Sequence, residues 1–245
     1  MKPILYTFPI SHFSEKARFG LDMANFFYES KPLVPGQHIQ TLKPLVKDTY
    51  VPVLDNGGTV IQGSKAILDL VEEKAFGEKA TESEILWEDR IDTEIGKSLQ
   101  TILYFYILDY PNIVGKLFLL EPKTKSEEVP PPEHFELIAL SLKRRYKINP
   151  KSVDSVKEKF ITTAKEIQEI YKTQKYFNGK NFGRVDLTVA SLLGAFAEPK
   201  ECPAYPWFDS VQMPAEYLEY RDGLGLEFLF ESIRDFYKEF RIQSK

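Results

Sequence analysis

The chain reads as an α/β unit of order β-α-β-α-β-β-α followed by an all-helical unit, and three observations predict this division. Strand and helix signals alternate over the first 77 residues, and the strand signals stop after Phe76-Gly77. From residue 82 onward apolar residues recur at three- and four-residue spacing, the period of one helix face. The expected domains are 1–77 and 82–245, each long enough to bury a core.

The elements follow in order. Pro3 to Phe8 is a short strand-like apolar run. Ser11 stands where it caps a helix to Ala24, with Phe13, Ala17, Leu21 and Ala24 at helical spacing. Phe26 to Val34 reads as a second strand ended by Pro35-Gly36, and His38 to Val46 as a weak irregular or helical stretch. Val51 to Leu54 and Thr59 to Ile61 form a hairpin around Asp55-Asn56-Gly57-Gly58. Ser64 caps a helix to about Lys74, with Ala66, Ile67, Leu70 and Val71 inward.

In the second unit, Trp87, Ile91, Ile95, Leu99, Ile102 and Tyr106 make a single stripe on one long helix. Val153, Val156, Phe160, Ala164, Ile167 and Tyr171 make a second stripe, and Leu229, Ile233, Phe236 and Phe240 a third. Gly183 to Ala197 is apolar almost all round and is expected to be the central buried helix. Asp186 is placed there to reach back to the free amides at its start. Glu121 to Glu133, with Pro130-Pro131-Pro132, reads as an exposed and mobile loop.

Charge and cysteine content narrow the function by exclusion. Against 36 acidic residues stand 32 Lys and Arg, a net charge of −4, so no basic excess exists to neutralise a nucleic-acid backbone or an anionic membrane. Cys202 alone supports neither a disulfide framework nor a cysteine-rich metal site, and His12, His38 and His134 show no metal-ligand spacing. The apolar runs Met1 to Pro9 and Ser98 to Leu108 are too short for a signal peptide or a bilayer span, which predicts a cytoplasmic protein.

Three features of the first unit converge on one kind of ligand. Ser11 opens the first helix, where amides of partial positive charge favour an anion such as a thiolate. Val51-Pro52 precedes a strand where a cis bond would turn the Val51 amide and carbonyl outward to pair with another extended backbone. Gln62-Gly63-Ser64 opens a second helix end suited to a carboxylate. A strand-like peptide would bridge them.

Ser11-His12-Phe13-Ser14-Glu15-Lys16-Ala17-Arg18, Val51-Pro52-Val53-Leu54, Ser64-Lys65-Ala66-Ile67 and Gly183-Arg184-Val185-Asp186, in this order and spacing, resemble the cytosolic glutathione transferase superfamily over the full length. The look is closest to bacterial members with a Ser-His-Phe start and a Pro-Gly-x-His element, here Pro35-Gly36-Gln37-His38. The resemblance implies a thioredoxin-like first domain, which binds glutathione, and a helical second domain that forms the co-substrate pocket. The family's strand-end tyrosine position falls on Thr7, and Tyr6 faces the other way. A serine-type enzyme is thus implied, with Ser11 donating a hydrogen bond to the glutathione sulfur.

Val51, Pro52, Gln62, Ser64 and His38 would bind glutathione, His38 through the glycine carboxylate, and Tyr104, Phe105 and Tyr110 would line the pocket for a small apolar electrophile. Glutathione enters as a co-substrate with no permanent cofactor or metal, and a homodimer is implied. The acidic residue that relatives carry before the capping serine is Gly63 here, with Gln62 as a neutral substitute. His12 stands where many relatives have proline and reads as uninformative about mechanism. The rival readings are a non-catalytic ligand-binding or interaction protein of this fold and a glutathione-dependent isomerase or dehalogenase.

Overall fold

The computed structural model describes residues 2–241; Met1 and the last four residues of the expected second domain, 242–245, lie outside them. The first unit runs β1 (Ile4–Thr7), α1 (His12–Met23), β2 (Glu29–Pro32), α2 (His38–Leu42), β3 (Val53–Asn56), β4 (Thr59–Gln62) and α3 (Ser64–Phe76). The sheet order is β2-β1-β3-β4, with β1 parallel to β2 and the other two pairs antiparallel. This is the expected thioredoxin-like arrangement. Alternation along β1 splits the packing: Leu5 faces Ala17, Leu21 and Ile67, whereas Tyr6 faces Leu33, Leu42 and Val53 on the α2 side.

Among the described residues no strand follows Gly77, which closes α3 in the left-handed conformation. The helices are α4 (Glu82–Ile91), a π-helical segment (Asp92–Lys97), α5 (Ser98–Ile107), α6 (Pro111–Leu117), α7 (Phe135–Arg145), α8 (Pro150–Thr173), α9 (Arg184–Ala197), α10 (Tyr205–Asp209), α11 (Ala215–Asp222) and α12 (Glu227–Phe240). Thr81 and Glu84 cap α4 reciprocally, and Asn149 with Ser152 does the same for α8.

One expectation is corrected. The stripe from Trp87 to Tyr106 does not ride on one α-helix, because the π segment interrupts it. Three successive four-residue steps, Trp87 to Ile91 to Ile95 to Leu99, would drift about 40° each on an ideal α-helix, and the wider i→i+5 turn absorbs that drift. Ile91, Ile95 and Leu99 all stay buried as a result. The proline-rich loop is exposed as expected, and Lys116 Nζ donates to its Thr124 and Lys125 carbonyls at 3.0 Å each.

α9 is the central buried helix, with every residue buried except Ala195. It packs on α1, α12 and α4, and α1 in turn lies between α3 and α9. The consequence is that all of α1 from Ser14 to Asp22 is buried, including the charged Glu15, Lys16, Arg18 and Asp22. No helix among the described residues is long and apolar enough to cross a membrane.

Candidate active site

The turn from β1 into α1 delivers Ser11 to the open end of a helix. Its backbone is extended, and its hydroxyl oxygen accepts the Ser14 N–H at 3.2 Å, so it is the helix cap. That oxygen still has its own O–H to donate, because accepting one bond uses a lone pair only. The first amides of α1 add the positive end of the helix dipole at the same place. Thr7 and Tyr6 end the preceding strand, and burial raises the Tyr6 phenol above its ordinary pKa on the opposite sheet face.

The two other elements of the site meet beside each other. The Val51-Pro52 bond is cis, and Val51 stands before β3, outside the sheet register. The Gly63 N–H donates to the Pro52 carbonyl at 2.9 Å, which joins this turn to the start of α3. Gly63, not Ser64, is the cap of that helix, at φ +94°, a conformation open to glycine because it lacks a Cβ. Ser64 is the first helical residue; it is buried, and among the described residues its hydroxyl has no hydrogen-bond partner.

Gln62 is tied to the preceding loop through its amide nitrogen. Its Nε2 donates to the Asp48 and Tyr50 carbonyls, so its amide holds the loop that leads into Val51. His38, at the start of α2, accepts the Gly36 N–H on Nδ1 at 2.9 Å and stands edge-on to Phe8 at 4.9 Å. Burial lowers its pKa, and the Arg145 charge from the end of α7 lowers it further. The same arginine acts on Tyr104, whose phenol burial raises. The end of α7 therefore stands within electrostatic reach of both α2 and α5.

Tyr104 rests on Tyr146 at 5.2 Å, Phe105 is half-buried against Tyr106 with Lys157 Nζ over its ring, and Tyr110 is exposed. None of the three lines the cleft beside Ser11. That cleft lies between Ile10, Ser11, His12 and Glu15 on one side and Ser191, Ala195, Cys202 and Phe208 on the other. It is narrow, with room for a water-sized body. The Ser191 hydroxyl is buried with no hydrogen-bond partner. Burial pushes the Cys202 thiol up to about 11, so it stays protonated and is no second nucleophile at neutral pH.

His12 is the buried polar neighbour of Ser11 that the sequence alone left uninformative. Its Nε2 lies 3.0 Å from the Gly96 carbonyl oxygen, an acceptor only, so the ring carries its proton on Nε2. Burial brings its pKa down to about 4, so the ring is neutral near pH 7. The signal was present in the departure from proline, but its partner lies 84 residues away. Among the described residues no group of three His, Cys, Asp or Glu side chains is placed to hold a metal ion.

Residues 5–79 match the family model described as glutathione S-transferase, N-terminal domain. No curated protein matches the chain. Among solved structures, the chain is similar to the beta-etherase LigF from Sphingobium sp. strain SYK-6, with 18% identity and a TM-score of 0.60 over 98% of this chain and 100% of that one. It is similar also to a glutathione S-transferase of Ceriporiopsis subvermispora in complex with glutathione, at 13% identity and a TM-score of 0.61 over the whole of both chains. Glutathione transferase GSTFuA3 from Phanerochaete chrysosporium gives 12% and 0.64 over 100% and 99%. Bacterial and fungal structures thus stand at similar distances, which establishes the fold and no subtype. The first domain thus matches the glutathione S-transferase N-terminal domain, and the chain as a whole has the glutathione transferase fold.

Proposed function

We propose that the chain is a serine-type glutathione transferase that adds the glutathione thiolate to a small, largely apolar electrophile. The observation that carries this reading is Ser11 at the open end of α1, with its O–H free to donate beside the unpaired helix amides. A thiol of pKa about 8.5 is mostly protonated at pH 7, and lowering it by one unit takes ~1.4 kcal/mol of preferential thiolate stabilisation. One hydroxyl and a helix end supply that. The thiolate sulfur forms a bond to the electrophilic carbon, the leaving group departs with its electron pair, and the thiol proton passes to solvent.

Glutathione lies extended past Val51 and Pro52, with its backbone paired to Val51 and a carboxylate at the start of α3 by Ser64. Gln62 supports this wall from behind, and His38 borders it. The electrophile enters from the side of Tyr104, Phe105 and Tyr110, where α5 packs on α7 and Tyr104 meets Tyr146. The protein acts as a cytoplasmic homodimer, a reading helped by Leu70 and Leu86, exposed on the successive helices α3 and α4.

A second reading, a ligand-binding member without turnover, draws on Gly63 and the occupied Gln62 amide, which leave no side chain at the usual acidic position. An isomerase or dehalogenase would use the same Ser11. Glutathione binding by calorimetry, followed by conjugation to a generic aryl halide, separates the readings. We expect binding and turnover in the native protein. Ser11→Ala should keep the fold and lose at least tenfold in kcat/KM near neutral pH. Binding without turnover favours the second reading, and unchanged turnover in Ser11→Ala removes Ser11 from the mechanism.

A further inference from the structure

His12 immediately follows Ser11, and it ties the first turn of α1 to the helical domain through the Nε2–H bond to the Gly96 carbonyl. Gly96 lies in the π segment, where the i→i+5 pattern moves carbonyls off the regular α-helical ladder. The contact is closely built. A methyl group on residue 96 would sit 2.7 Å from Phe13 Cζ and 3.0 Å from Leu192 Cδ1, so a larger residue there would have to displace the Phe13 ring and crowd Leu192. Phe13, the next residue of α1, lies with its ring 4.6 Å from that of His12. The two residues after Ser11 are thus docked on the other domain.

We infer that His12 is a positioning residue for Ser11: its bond to the Gly96 carbonyl holds the first turn of α1 so that the Ser11 hydroxyl and the helix amides point at the thiol. The inference rests on the Ser11 reading above. The hydroxyl of a cap residue is aimed by the backbone of the turn that carries it, and a displacement of about 1 Å is enough to lose most of a catalytic hydrogen bond. The ring stays neutral well below the pH at which a thiol ionises, so its donor is constant across the working range.

The test compares His12→Phe, which keeps a ring and loses the donor, with His12→Gln, which restores an amide N–H at similar reach. The readout is the apparent pKa of glutathione bound to each protein, followed by the ultraviolet absorbance of the thiolate against pH, with glutathione affinity and the unfolding midpoint measured alongside. His12→Phe should raise the bound thiol by about one unit, a tenfold loss of thiolate below that pKa, with affinity within about twofold of the native protein. His12→Gln should recover most of the loss. An unshifted thiol in His12→Phe, or equal losses in the two variants, overturns the inference.

Should His12→Phe fail to fold, Gly96→Ala displaces the carbonyl while His12 remains, and it should move the thiol pKa in the same direction; no movement overturns the inference. The native protein offers a further check, since the imidazole nitrogen resonances of His12 must report an Nε2-protonated neutral ring at pH 7. A cationic ring or the Nδ1 tautomer overturns it. The two readings fail separately. Ser11→Ala without effect on the bound thiol sinks the Ser11 mechanism, whereas an effect of Ser11→Ala with none from His12→Phe sinks only the role of His12.

Discussion

At position 11 one atom separates two chemistries. A serine hydroxyl donates to a thiolate, and a cysteine sulfur in its place would itself be the nucleophile, with its pKa lowered by the helix end. Ser11→Cys should therefore form a mixed disulfide with oxidised glutathione, the second glutathione leaving as thiolate, and intact-protein mass spectrometry reads the adduct. No adduct would mean that position 11 does not face the ligand. At Gly63 the issue is backbone shape. Open space surrounds the position, but φ +94° with ψ 144° is a region almost confined to glycine. Gly63→Ala should cost about 1–3 kcal/mol, seen as a lower urea midpoint, without any steric clash.

α9 shows how a helix start becomes a buried structural device. Asp186 Oδ2 accepts the Gly183 N–H at 2.9 Å, while Oδ1 accepts the Phe177 N–H at 2.8 Å and the Tyr171 hydroxyl at 2.9 Å. Burial is the largest influence and lifts this carboxyl to about 6 despite those three donors. Between the ordinary carboxylate value of 3.8 and about 6 the folded protein then holds more protons than the unfolded chain. The Asp186 contribution to stability is full below about 4 and is lost as pH rises through 6. Asp186→Asn should remove that slope from the difference in unfolding midpoint between variant and native protein. Asp186→Ala, which deletes all three acceptor bonds, should cost about 2–4 kcal/mol.

The capping role of Asp186 was legible because it depends on residues three apart in the chain. So were Ser11 at the start of α1, the β3–β4 hairpin and the central position of α9. The π segment was not, since apolar residues four apart read as an α-helical stripe whether or not one turn is widened. Nor was the wall made by Ser191 to Phe208, because that contact with Ser11 is a product of tertiary packing.

Across the whole molecule, the feature hidden from sequence reading is the burial of charge between the domains. Lys16 on α1 meets Glu88 at 2.7 Å and Asp92 at 2.6 Å, and Glu88 on α4 meets Arg184 at 2.8 Å. Arg184 in turn reaches Asp69 and Glu72 on α3 at 2.7 and 3.0 Å. Charged residues in an amphipathic pattern read as solvated, yet the side chains of Lys16 and Glu88 are fully buried and Arg184 is 2% exposed. Arg241, after α12, clasps Glu15 and Asp22 of α1 at 2.7 Å each, a second buried seam.

Removing one member of such a chain strands its partners in a low dielectric, whereas exposed pairs cost almost nothing. Glu88→Ala should therefore destabilise the protein by about 3–5 kcal/mol, with little dependence on salt. Lys175→Ala, which breaks an exposed pair with Glu239, serves as the control and should leave the unfolding midpoint nearly unchanged. Trp87 and Trp207 both lie in helices of the second unit, so their fluorescence reports that unit, while amide exchange in β1 to β4 reports the first. In the native protein both probes should follow one urea transition. In Glu88→Ala the sheet should open at lower urea than the tryptophans report, because α1 has lost its shared anion with α9. Coincident transitions in that variant would show that apolar packing of α1 on α9, rather than the ion chain, couples the two domains.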